Sequence, residues 1–308
     1  MEIHKIPELR SPVMILAFSG WNDAADAATG ALAHILGSWA DDSSDSSGSS
    51  DSSGSNQLES FDISAGVAPE LIADFDAEDF YDFQVNRPMV SMDRSEIRSL
   101  TWPGTQVFSL EMPSLEFDFV IVRGVEPSMK WRTFTYELLD LADDLEVSRI
   151  ISLGAMLADT PHTRPITVTG TSANSKTAKR LGVSVSKYEG PTGILGVIQD
   201  ACQHRGIDCL SLWAAVPHYA SNAPSPKATL ALLNALEDFL EIALPQGTLV
   251  ESSKQWESEV NELAKEDSDV ADYVKALEES KDNAELSDLS GEEIAKELER
   301  FLRRQSDN

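Results

Sequence analysis

Seven residues carry side chains that a binding or reacting site would need, and each follows the break of an apolar run or opens a helix. Trp21, Asn22 and Asp23 follow Val13-Met14-Ile15-Leu16-Ala17-Phe18. Arg123 and Glu126 follow Phe117–Val122, Thr192 sits in Glu189-Gly190-Pro191-Thr192-Gly193, and His218 follows Cys209–Val216. A carboxylate three residues from an arginine can work as general base beside an anion clamp, or the two can simply pair; pairing is the simpler reading. Trp131 and Arg132, after Met129-Lys130, could read an aromatic or anionic ligand, or mark a helix start docking on a sheet. A Trp next to two polar residues at a tight turn could form a site, or equally a buried turn at an oligomer interface.

These residues need a sheet to bring them together. Val13–Phe18 is apolar throughout, as expected of a strand covered on both faces. Gly20 permits a tight turn, and Asn22 or Asp23 can cap a helix beginning at Ala24, leaving backbone N–H groups directed outward. Further strands are expected at Met89–Met92, Gln106–Leu110, Phe117–Arg123, Ile150–Leu153, Ile166–Thr169 and Cys209–Ala215. Helices are expected at Trp131–Asp144, Ala173–Leu181, Thr192–His204 (with Thr192 as its cap) and Pro226–Ile242. This alternation predicts an α/β fold, a largely parallel sheet flanked by helices. Met89–Met92 and Gln106–Leu110 are joined too briefly for a crossover and predict an antiparallel hairpin turned by Trp102-Pro103-Gly104. In a parallel sheet the polar strand ends converge on one edge, where ligands of open α/β sheets bind.

The reactive inventory is thin. There is no G-x-x-x-x-G-K-[ST] phosphate loop, and Gly190-Pro191-Thr192-Gly193 lacks its lysine. No nucleophile elbow is present. Among the five histidines no two have helical zinc spacing, so neither a metal site nor a cofactor is expected. Cys202 and Cys209 predict a buried reduced pair in a cytoplasmic protein.

With 308 residues, 42% of them apolar, a sizeable core is expected; the formal charge of -28 disfavours nucleic acid and anionic membranes as partners. No apolar run reaches the roughly 20 residues that span a bilayer. Residues 1–249 form the expected α/β body, interrupted by a Ser/Asp/Gly stretch at about 40–56 expected to be a disordered loop. Residues 250–308 form an expected acidic helical tail. Trp256, Val260 and Leu263 mark one apolar stripe in it; Ile294, Leu298, Phe301 and Leu302 mark another.

The stretches LAFSGWNDAADAATGAL, EDFYDFQVNRP, VRGVEPSMKWRTF, YEGPTGILGVIQDAC and LWAAVPHYASNAPSPKATLALL, with the tail through ELERFLRR, resemble the actinobacterial branch of the proteasome-assembly-chaperone family, second-chaperone type. The resemblance spans the chain except about Ser38–Asp74. It implies a nucleoside-phosphorylase-like body and a non-enzymatic chaperone that engages proteasome alpha subunits and forms homo-oligomers. Archaeal relatives engage proteasomes through a C-terminal hydrophobic-Tyr-any tail, whereas this chain ends Arg303-Arg304-Gln305-Ser306-Asp307-Asn308.

Two functions from different classes therefore compete. One is an interaction protein in which Trp21, Asn22, Asp23, Arg123, Glu126, Thr192 and His218 are structural or interfacial. The other is a nucleoside- or nucleotide-binding protein or enzyme using the strand-end crevice.

Overall fold

The computed structural model of the chain describes residues 1–40, 68–92 and 97–288. From residue 41 the Ser/Asp/Gly stretch lies outside the described residues, as do Ile294, Leu298, Phe301 and Leu302. The strands are β1 (Glu2–Ile3), β2 (Val13–Ser19), β3 (Glu70–Phe75), β4 (Met89–Met92), β5 (Arg98–Thr101) and β6 (Thr105–Leu110). They continue as β7 (Phe119–Val125), β8 (Arg149–Ala158), β9 (Val168–Ser172), β10 (Ser184–Val185) and β11 (Cys209–Pro217). Nine of them form one sheet in the order β1-β3-β6-β7-β2-β8-β11-β9-β10, while β4 and β5 pair only with each other.

The apolar run of β2 is explained by its place in the middle of that sheet. It runs parallel to β7 on one side and to β8 on the other, and Val13–Phe18 are all buried. The sheet is mixed rather than uniformly parallel, because β6 is antiparallel to both β7 and β3, and β3 to β1. The expected hairpin is corrected here. Gln106–Leu110 joins the main sheet between β7 and β3, and Met89–Met92 pairs instead with Arg98–Thr101. Trp102-Pro103-Gly104 links β5 to β6 across two sheets, so it closes no hairpin. The strand expected at Ile166–Thr169 begins two residues later, at Val168.

The helices are α1 (Ala27–Ala40), α2 (Ala77–Phe80), α3 (Trp131–Asp144), α4 (Ser175–Leu181), α5 (Ile194–Arg205), α6 (Pro226–Leu240), α7 (Leu249–Glu266) and α8 (Ser268–Asp288). The chain divides into two compact units. The first comprises Met1–Asp23, Ala65–Gly154 and Gly170–Ser211; the second comprises the remainder.

In the first unit the core is aromatic. Phe134 of α3 lies 4.2 Å from Phe75, 5.5 Å from Phe80 and 5.7 Å from Phe18, ring centre to ring centre. All but Phe75 are below 2% exposed, and each such side chain contributes roughly 1.5–3 kcal/mol by leaving water. Arg205 of α5 reaches back to α3, pairing with Asp140 and Asp143 over the ring of Tyr136. Asp118, buried ahead of β7, accepts from Arg10 N and Met112 N and pairs with the Arg10 guanidinium; these partners hold its carboxyl below the usual range against burial, which pushes it up. Cys202 and Cys209 are free and buried, and the hydrogen bond between them, with burial, raises the Cys209 thiol well above its ordinary range.

In the second unit α1, α6, α7 and α8 pack in succession. Thr229 Oγ1 donates to Ala27 O, and a Cβ at Gly30 would stand 3.1 Å from that hydroxyl, so α1 and α6 approach closely. On α7 the buried positions are Ser253, Trp256, Val260 and Ala264, a period of four to three; Leu263, expected in the stripe, is 63% exposed.

Candidate functional site

Within the first unit the end of β2, the end of β7 and the start of α5 meet at one carboxylate. After Ser19 the chain turns at Gly20, whose φ of 115 is open to glycine and strained for other residues. Asn22 follows, 1% exposed, and its Nδ2 donates to Glu126 Oε1 at 2.7 Å. The backbone N–H of Ile194, first residue of α5, donates to the same oxygen at 2.8 Å. Glu126 is itself held by its backbone N–H, which donates to Ser19 O at 2.9 Å. Gly193 lies so close that a Cβ there would sit 2.2 Å from Asn22 Oδ1. Gly124, one residue from the end of β7, is equally constrained: a Cβ would stand 2.4 Å from Gly104 O.

This geometry corrects three local readings. Glu126 does not pair with Arg123, which is exposed; it bonds Asn22 and α5. Thr192 is exposed and does not cap α5, whose flanking residue is Gly193 and whose free N–H is taken by Glu126. Nor does a helix begin at Ala24. A 3-10 turn over Ala24–Asp26, with Ala25 left-handed at φ 53, precedes α1 at Ala27, and Asn22 spends its amide on Glu126.

A helix N-terminus attracts anions because its first N–H groups and its dipole both point there. At α5 that position is filled by a carboxylate of the chain itself. A second anion would meet like charge and an N–H already satisfied. The Trp131 indole is likewise committed, its Nε1 donating to Pro127 O, and Arg132 is exposed. Trp21, next to Asn22, is 66% exposed, whereas Asp23 is buried, its N–H donating to Gly20 O.

His218 belongs to the second unit. Its Nδ1 lies 3.3 Å from Asp159, and its ring meets Tyr219 and Tyr273 edge to face. Next to it is a cluster around His162, a residue the sequence places near a strand end like His218 but ties to no partner. His162, 1% exposed, donates its backbone N–H to Tyr219 Oη at 2.7 Å. The pattern closes if Tyr219 donates in turn to Nδ1 (2.8 Å) and Nε2 donates to Asn261 Oδ1 (3.2 Å) on α7. Burial lowers the proton affinity of His162 and pushes the Tyr219 phenol up to about 12. Arg164 forks onto Asp282 with two bonds of 2.8 Å and reaches Glu278, both on α8. The only cue was the position of His162 near a strand end; nothing local tied it to helices a hundred residues on. Among the described residues no cluster of three or more histidine, cysteine or acidic side chains is placed to hold a metal, and no helix is long and apolar enough to cross a membrane.

The fold and this site define an α/β protein whose strand-end turns are bound to one another by a half-buried carboxylate, with the aromatic Trp21 left outside. The chain belongs to the PAC2 family, whose model matches residues 64–264. A PAC2 family protein from Streptomyces avermitilis is 45% identical, with 85% of this chain and 99% of that one covered and a TM-score of 0.71. A proteasome-assembly chaperone homologue from Mycobacterium tuberculosis is 41% identical, with 85% and 99% covered and a TM-score of 0.69. An archaeal proteasome activator from Pyrococcus furiosus, 15% identical over 85% and 97% with a TM-score of 0.60, shares the fold. A search of curated proteins found no match. The resemblance read from the sequence motifs, actinobacterial relatives included, therefore holds.

Proposed function

We propose that this chain is a non-enzymatic, proteasome-assembly-chaperone-like protein that acts in the cytoplasm by surface contact with proteasome alpha subunits, as a homo-oligomer. The observation that carries the reading is the occupied N-terminus of α5. Glu126 Oε1 takes both the Ile194 N–H and the Asn22 amide, so the place where a nucleotide's phosphate would dock is used to fasten turns together. Kinship with a proteasome-assembly chaperone homologue at 41% identity supplies the partner class.

The test is capture by the immobilised full-length chain from an extract of its own source organism at moderate salt, with alpha subunits and their precursors quantified by mass spectrometry. Enrichment of those subunits supports the reading; their absence from an extract that contains proteasomes overturns it. A thermal-shift screen with purine nucleosides, phosphate and nucleotides tests the competing pocket. A ligand at 100 times its Kd would add about 2.7 kcal/mol of stability, and we expect no shift.

A further inference from the structure

The β4–β5 hairpin is the least explained part of the described chain. All eight residues of its two strands are exposed, and neither strand joins the main sheet. A lone two-stranded hairpin is marginal in water, yet this one carries apolar residues outward. Val90 faces Leu100 across the strands and Met92 faces Arg98, so one face presents Val90, Leu100 and Met92 around a guanidinium. Met92 is 69% exposed, and Ile97, just before β5, is 64% exposed. The root is anchored by Trp102, packed 4.9 Å from Phe83.

Charge indicates what covers this face. Among the described residues here the charged side chains are Arg87, ahead of β4, and Arg98 of β5, both cationic, in a chain whose overall charge is -28. A complementary surface is therefore acidic with an apolar wall. Such a surface adjoins the hairpin on the same unit: a groove of ≈ 670 Å³ lined by Glu2, Asp74, Asp76, Asp79, Trp102 and Pro103. Asp74 and Asp79 already face His4 and Lys130. Glu2 also stands 4.0 Å from His4, and Asp76 accepts the Glu78 N–H; the groove's four carboxylates thus face one lysine and one histidine, which leaves it negative. Thr101, the last residue of β5, also lines it. Hairpin and groove thus lie side by side, the arrangement that lets two copies exchange hairpins about a two-fold axis, each giving and receiving the same contact.

We infer that the β4–β5 hairpin is an exchange arm that seats its Val90/Met92/Leu100 face and Arg98 in the acidic groove of a second copy of this chain. The inference rests on the homo-oligomer in the proposed function and assigns its surface. The test is sedimentation of the full-length chain at physiological salt over a wide concentration range, with the double variant Val90→Thr, Leu100→Thr alongside, which places β-branched residues at this cross-strand pair without opposing two like charges. Self-association of the wild type, weakened more than about tenfold in the variant, is expected. Circular dichroism of the variant should be unchanged, since both side chains are exposed. A second measurement locates the seat: Met92→Cys in one chain and Ala77→Cys, in the groove, in another should form a mixed disulfide on combining them under mild oxidation. Both native cysteines are buried.

Association that persists in the double variant overturns the arm while leaving the oligomer standing. A hairpin-dependent oligomer with no mixed disulfide overturns the groove as its seat. A wild type that is monomeric throughout overturns both; the proteasome reading is judged separately, by the capture of alpha subunits.

Discussion

The lock at Asn22, Glu126 and Gly193 and the hairpin at β4–β5 are opposite solutions to the same constraint. At the lock a buried amide and a helix N–H share one carboxylate oxygen, and a methyl group would not fit at Gly193. At the hairpin every residue of the two strands is exposed, and Ser91 bonds Ser99 across them. The lock was the part of the sequence most suggestive of chemistry, with its glycines, Asn, Asp and Glu at strand ends. Its polar atoms are spent on holding the fold. The hairpin strands, Met-Val-Ser-Met and Arg-Ser-Leu-Thr, suggested nothing chemical and present their side chains outward. In this protein, polar richness at a strand end marks rigidity, and outward apolar residues mark the place open to a partner.

Substitutions should widen that contrast. Glu126→Ala leaves the buried Asn22 amide and the Ile194 N–H without their acceptor, and should cost about 3 kcal/mol in urea unfolding, at the upper end for a hydrogen bond to a charged group. Glu126→Gln keeps an acceptor and should cost about 1 kcal/mol, through the lost charge at the helix terminus. If the lock is what excludes anions, phosphate should raise the Tm of Glu126→Ala and leave the wild type unmoved. A phosphate response in the wild type would break the comparison.

Gly193→Ala should cost about 2 kcal/mol by forcing Asn22 aside, and Asn22→Ala placed in the same chain should recover part of that loss. A smaller effect is expected at the C-terminal helices. Arg164→Ala removes the fork to Asp282 on a partly exposed side chain, costs about 1 kcal/mol, and should show first as faster proteolysis within α8.

The smallest effect is a dependence on pH. The unfolded chain binds a proton at His162 near the ordinary value of 6.5, while burial makes the folded chain resist protonation until lower pH. Stability is therefore whole above about 6.5 and declines as pH falls below it, because the unfolded state then holds more protons. Asp118 and Asp282, held low in the folded state, add their losses only further into acid. His162→Asn should flatten the upper part of that decline in a series of Tm measurements. An unchanged slope would remove His162 as its source.

Elements with a strong local period were legible. Trp131–Asp144 was expected as a helix and is α3, and the buried run of β2 lies where its continuous apolar pattern requires. Family membership was legible as well, because long ordered motifs leave little room for coincidence. What failed was pairing. Arg98-Ser99-Leu100-Thr101 has too few residues and too polar a pattern to read as a strand, so Met89–Met92 was matched to the next apolar run instead. Glu126 was matched to Arg123, three residues away, although its partners lie 104 and 68 positions distant. Thr192 has the chemistry of a helix cap, but a carboxylate arriving from another strand displaced it. Local preference is weak wherever a distant group can reach the same N–H.

The contact between Gly193 and Asn22 also constrains how this chain can have come to vary. Residues 22, 126 and 193 are far apart in the gene, yet each fixes the size or charge tolerated at the other two. A side chain gained at 193 requires a shorter one at 22, and a shorter residue at 22 removes a donor from 126. The three positions are therefore coupled in size and charge, so a change at one is best accommodated by a matching change at another.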